Sequence, residues 1–94
     1  MDNPFRNQIR YSNEAARIIG KLPAVDRGRL AAQIQTLADS PGRGKILKGS
    51  LSGWHSLRVG DFRVIYQHFP DEHRVIVLTL GHRKDIYKKS RRKK

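Results

Sequence analysis

Apolar residues recur along this chain with two different periods. Between Ser12 and Pro23, the positions Ala15, Ile18, Ile19 and Leu22 fall at i, i+3, i+4 and i+7, one face of an α-helix. Ser12 is placed as an N-cap, Glu14 lies in the first turn where the helix dipole favours an acid, and Pro23 ends this helix or starts the next. Over residues 24–39 the helical period returns. Val25, Leu30, Ile34 and Leu37, with Ala31 and Ala38 beside them, predict an apolar stripe, and Arg27, Arg29, Gln33 and Gln35 cover the remainder. Ser40-Pro41-Gly42 closes the segment. Two amphipathic helices joined at a proline form a hairpin whose stripes need an apolar partner.

The partner is predicted from strands. Residues 5–11 alternate loosely, with Phe5, Ile9 and Tyr11 on one parity. Residues 54–66 hold two runs rich in β-branched and aromatic residues around Gly60-Asp61, a pair suited to the positive φ of a tight hairpin turn. Alternation puts Leu57, Val59, Phe62, Val64 and Tyr66 against a core and leaves Trp54, Ser56, Arg58, Arg63, Ile65 and Gln67 on the opposite face. After a Pro70-Asp71-Glu72 turn, residues 74–80 are nearly all apolar, the pattern of a central strand. Residues 43–53 form a Gly- and Lys-rich connector in which Ile46-Leu47 suits a short edge strand. The expected fold is α+β and two-layered, in the order β-α-α-β-β-β: an antiparallel sheet with the helical hairpin on one face and the arginine-bearing face open.

Composition sharpens this picture. At 94 residues, with 37% hydrophobic positions, the chain suits one domain and one core. We expect the domain over residues 1–88 and a disordered basic tail over 89–94, where self-repulsion outweighs any packing. No cysteine is present, which excludes a disulfide framework and a thiolate metal site and fits a reducing cytoplasm. No run approaches the roughly 18 apolar residues of a membrane span, and the polar N-terminus does not resemble a signal peptide. Four histidines without ligand spacing give no metal motif. Twenty Lys/Arg against eight Asp/Glu give a net charge of +12. Residues 1–40 contribute six basic and four acidic groups, residues 41–94 fourteen and four, so the excess lies in the second half. Such a surface suits nucleic acid, an anionic membrane surface or an acidic protein.

Three features then coincide: two helices with a Leu22-Pro23 junction, the run Leu57-Arg58-Val59-Gly60-Asp61-Phe62-Arg63-Val64-Ile65-Tyr66, and Gly81-His82-Arg83-Lys84-Asp85-Ile86-Tyr87. Together they resemble the RelE/ParE superfamily of type II toxin–antitoxin toxins, in particular its RelE branch, over roughly residues 5–88. The resemblance implies a ribonuclease that enters the ribosomal A site and cuts mRNA without a metal or small-molecule cofactor. The ribose 2′-hydroxyl attacks its own phosphodiester, leaving a 2′,3′-cyclic phosphate and a 5′-hydroxyl. The implied partners are a cognate antitoxin, mRNA and the ribosome. By position, the family's strand arginine falls on Arg63, the arginine after the last strand on Arg83, and the C-terminal tyrosine on Tyr87. Some members carry a Lys-x-Lys pair where this chain has Trp54 and Ser56.

The residues suit this chemistry on their own terms. Cleavage needs a base for the 2′-hydroxyl, cations around the phosphorane and a proton for the departing 5′-oxygen. Arg63 and Arg83 supply guanidinium forks that bind phosphate in two places and stay charged. Tyr87 offers a stacking ring or a phenol for proton transfer. His82 is the substitute for the missing lysines, because an imidazole can give or take a proton near neutral pH. Arg58, Lys45, Lys48, Trp54 and Lys84 are candidates for holding RNA, the cations through phosphate and Trp54 by stacking. Each has a plain structural alternative; for Arg63 it is a cross-strand ion pair. Two other functions use the same fold: a ParE-like poison that binds DNA gyrase and hydrolyses nothing, and an inactive relative that only binds RNA or antitoxin.

Overall fold

The computed structural model describes residues 6–47 and 53–82. Strand β1 (Gln8–Tyr11) leads into helices α1 (Asn13–Gly20) and α2 (Ala24–Gln35). Four strands follow: β2 (Lys45–Ile46), β3 (His55–Val59), β4 (Phe62–Phe69) and β5 (Arg74–His82). They form one sheet in the order β1-β5-β4-β3-β2. The α+β, two-layer expectation holds, and the weakly marked edge strand exists. One pairing differs from it: β1 runs parallel to β5, while all other neighbours are antiparallel. The helical hairpin between β1 and the rest of the sheet provides the long connection that a parallel pair requires.

Ser12 caps α1 as its position predicts. Its hydroxyl accepts from Ala15 N at 3.0 Å and donates to Leu78 O at 2.6 Å, tying the helix start to β5. That carbonyl lies at an irregularity in the ladder, where Ile65 pairs with Thr79 but Tyr66 pairs with Val77. The extra residue, Leu78, is a β-bulge that frees a backbone acceptor for the cap. Helix α2 stops at Gln35 and tightens into a 3₁₀ turn, Thr36–Ala38, which buries Leu37 and Ala38. Val25, expected in the stripe, is instead 73% exposed, since it lies in the first turn ahead of the buried pair Leu30 and Ile34. Ala31 is exposed as well.

The core forms between the helices and one face of the sheet. Leu57, Val59, Val64, Tyr66, Val75, Val77 and Leu80 meet Ala15, Leu30, Ile34 and Leu37 there. The alternation read from residues 54–66 is therefore the alternation observed. At the hairpin tip Val59 pairs with Phe62 across a two-residue turn, and Gly60 takes φ +60°. A glycine with positive φ at the first turn position matches the twist of the flanking strands.

Tyr66 pins the connector to this core. Its hydroxyl donates to Pro41 O at 2.6 Å and accepts from Gly44 N at 2.9 Å. Burial raises its pKa, against smaller opposing effects of the Gly44 N–H and Arg43. Residues 89–94, expected as a basic tail, lie outside the described residues.

Candidate nucleic-acid interface

The β3–β4 register places the candidate residues. Arg58 stands directly opposite Arg63, and Ser56 opposite Ile65. On the other side of β4, Arg63 faces Gly81, which offers no side chain to compete for space. Strand pleat sends Arg63 away from its neighbours Phe62 and Val64, which pack toward the helices, so it occupies the face opposite α1 and α2. Arg63 is half-buried, and its Nε is shielded from solvent without a hydrogen-bond partner. The ion pairs among the described residues are Arg6–Asp39 and Arg74–Glu72, so Arg63 is not held by an acid there. Like charges directly opposite one another on a sheet oppose folding.

Lys45 joins this face through β2, where it pairs with Ser56. Its neighbour Gly44 lies against the Tyr66 ring on the core side, which confirms the direction of the pleat. Sequence reasoning left Lys45 in a connector with a loose attraction to phosphate. The structure instead puts an exposed lysine on β2, directly opposite Ser56 of β3. The only advance signal was the short edge strand, placed one residue late.

Other candidates are placed differently from expectation. Strand β5 does not end at Leu80 but continues through His82, which pairs with Phe62 and stacks edge-on against it, ring centroids 6.2 Å apart. The pleat therefore turns His82 to the helix side, away from Arg63. Ser56 and Ile65, expected on an open surface, are only 4% and 1% exposed, although neither joins the helix-side core. Trp54 precedes β3 and is half-buried, its carbonyl accepting from Leu47 N at 2.9 Å. Arg58 is exposed but hooks over the turn, with Nε donating to Gly60 O at 3.4 Å. Arg83, Lys84, Tyr87 and Lys48 lie outside the described residues.

His55 falls on the core side, as its parity predicts. It stacks on Tyr66 with centroids 5.0 Å apart and an interplanar angle of 17°, and its shielded Nδ1 has no hydrogen-bond partner. Burial, and secondly the neighbouring His68, hold its pKa below the ordinary imidazole range. The unfolded chain therefore binds a proton at His55 more readily than the folded one. The stabilisation is complete above pH 6.5 and is lost as pH falls through that value toward the folded-state pKa. Thermal melts between pH 7.5 and 5.5 should show a falling Tm, and His55→Leu should flatten that decline; an unchanged slope would contradict the assignment.

A small α-hairpin thus lies on one face of a five-stranded sheet, and Arg63 and Lys45 stand on the other. A family model described as the ParE toxin of the type II toxin–antitoxin system, parDE, matches residues 9–87, and the chain belongs to that family. Among its relatives, Toxin RelG of Mycobacterium tuberculosis (strain ATCC 25618 / H37Rv) is 37% identical over 87 residues, covering 86% of this chain and 95% of the relative. Toxin RelE of the same organism is 32% identical over 89 residues, covering 93% and 90%. The toxin–antitoxin complex RelBE2 from Mycobacterium tuberculosis matches with a TM-score of 0.77 and 26% identity, over 82% of this chain and 98% of that one. The isolated Escherichia coli RelE toxin matches in fold, with a TM-score of 0.70 at 17% identity over 92% and 96% of the two chains.

Proposed function

We propose that this toxin is a ribosome-dependent mRNA endoribonuclease, neutralised by a cognate antitoxin. The observation that carries the reading is Arg63: a part-shielded guanidinium on the face opposite α1 and α2, facing a second arginine and unpaired with any acid among the described residues. A surface that keeps uncompensated cations against their mutual repulsion is suited to an anionic ligand. The RelE and RelG names of its relatives support a toxin of this branch.

In the proposed reaction the 2′-oxygen attacks the adjacent phosphorus as its proton passes to a base. The bond from phosphorus to the 5′-oxygen breaks, and that oxygen takes up a proton. The products are a 2′,3′-cyclic phosphate and a 5′-hydroxyl. Arg63 stabilises the charge that builds on the phosphorane oxygens, where preorganised donors act most strongly. Lys45, the register partner of Ser56, adds a positive charge to the same face. Arg83 and Tyr87 are proposed as the second guanidinium and the proton-transfer or stacking group. Arg58, Lys48, Lys84 and Trp54 are proposed to hold the RNA. His82 pairs with Phe62 on the helix side of the sheet and is given no role in the cleavage step.

Incubating the purified protein with programmed ribosomes and mRNA, then mapping cut ends and their phosphate chemistry, tests the proposal. Cuts inside codons with cyclic-phosphate ends are expected. The family's ParE description favours a second reading, a gyrase-binding poison. Intact mRNA together with DNA damage signalling in arrested cells would select it.

A further inference from the structure

A second cationic feature lies around the corner from Arg63. A cleft of about 330 Å³ opens between α2 and the β3–β4 turn, lined by Arg29, Ala32, Gln33, Arg58, Val59 and Gly60. Among the described residues it holds two arginines and no carboxylate. Arg29 Nη2 lies 3.1 Å from the point that a Cβ on Gly60 would occupy, so the bare turn is what lets this guanidinium lie over it. Arg58 reaches the same turn from the strand, with Nε on Gly60 O. The Gln33 amide oxygen accepts from Arg43 Nη1 at 3.1 Å, which leaves its own N–H groups as donors. The polar side chains of the cleft therefore present donors, and neither Arg29 nor Arg58 has an ion-pair partner among the described residues.

Arg58 links the cleft to the Arg63 face, lining the one and standing opposite Arg63 in the strand pair. Strand β2 pairs only with His55 and Ser56, so β3 has no outer neighbour at residues 57–59 among the described residues. A chain lying over Arg63 can pass across that uncovered edge, over Arg58, and reach Arg29. We propose that the cleft seats a phosphate of the same RNA strand, one flanking the phosphate held over Arg63. This rests on the nuclease reading for its substrate and extends it to a second binding site. An acidic peptide is the weaker occupant, because Ala32 and Val59 offer little of the apolar anchorage on which protein interfaces depend.

Equilibrium binding of an oligoribonucleotide carrying a 2′-deoxy sugar at the cleavage position, measured over a salt series, tests this. Arg29 is exposed on α2, and Arg29→Ala introduces a good helix former, so the variant should fold; its Tm is the control. Binding should weaken on the order of 5-fold, and the slope of log K against log salt should fall by about 1. In cleavage assays the loss should appear in KM rather than kcat, as for a contact made equally in ground and transition states. Arg29→Lys should retain the salt slope but only part of the affinity, since an ammonium lacks the planar fork.

Wild-type RNA affinity and slope in Arg29→Ala would overturn the proposal. So would weakened antitoxin binding with RNA binding unchanged, which would assign the cleft to an acidic segment of that partner. If the wild-type protein binds RNA with the Arg29-dependent slope yet produces no cuts on ribosomes, the nuclease reading fails and the cleft stands. If it cuts normally and Arg29→Ala behaves as wild type, the cleft fails and the nuclease reading stands.

Discussion

Arg63→Ala lowers ribosome-dependent mRNA cleavage by about 10²- to 10³-fold, the loss expected when one preorganised donor to a charge-bearing transition state is removed. The size follows from where the side chain sits. Its Nε is shielded from bulk water, and its register partner Gly81 carries no side chain. In that setting a guanidinium interacts with a phosphorane through less solvent than an exposed cation would. Stability should move in a different direction from activity. Arg58 and Arg63 repel one another across the strand pair, so removing one charge relieves a destabilising contact of about 0.2–1 kcal/mol, offsetting part of the packing lost with the side-chain stem. Single-turnover cleavage on programmed ribosomes, a thermal melt and an antitoxin titration together make the check. The expected outcome is a near wild-type Tm, retained antitoxin binding and lost cleavage. Arg63→Lys should fall between, keeping the charge without the two-point fork. Full cleavage by Arg63→Ala would remove the chemical basis of the proposed function.

Gly44→Ala should be the most destabilising small substitution in the described chain, by about 2–3 kcal/mol. The reason is space rather than backbone conformation, since Gly44 has φ −75° and ψ 159°, values open to any residue. A Cβ there would stand 2.6 Å from Tyr66 Oη, 2.7 Å from its Cε1 and 3.0 Å from Ser56 O. None of these atoms can yield cheaply. The Tyr66 ring is fully buried, stacked on His55 and held at its hydroxyl by Pro41 O and Gly44 N. For a domain of this size the cost corresponds to a Tm lower by about 10–20 °C. Tyr66→Phe alone should cost about 1–2 kcal/mol, because it leaves the Gly44 N–H and the Pro41 carbonyl without their partner. Adding Gly44→Ala to that variant should cost less than it does in the wild type, since the nearest clashing atom is gone. A fully additive pair would mean that the hydroxyl is not what meets the new methyl group.

Much of the architecture was legible before any coordinates. The stripes Ala15, Ile18, Ile19, Leu22 and Leu30, Ile34, Leu37 marked the helical layer, and Gly60-Asp61 with its alternating flanks marked both the hairpin and the face on which Arg63 stands. Each of those signals is local, carried by residues within two or three turns or one strand of each other. The candidate site was legible only where it depended on such signals. Arg63 needed nothing but parity. Lys45 needed to be known as a strand residue opposite Ser56, and a two-residue edge strand in a glycine-rich connector has too little pattern to reveal that. His82 needed the true end of β5, which the apolar run ending at Leu80 does not announce.

Local periodicity, then, is enough to dictate two amphipathic helices, a tight hairpin and a division of β3 and β4 into an apolar and a cationic face. Pairing is another matter, because strand partners are chosen by contacts between residues far apart in the chain. The parallel joining of β1 to β5, the bulge at Leu78 that receives the Ser12 cap, and the meeting of Arg29 with Arg58 over Gly60 all arise that way. They exist only once the apolar surfaces close on one another and the chain's remote segments become neighbours.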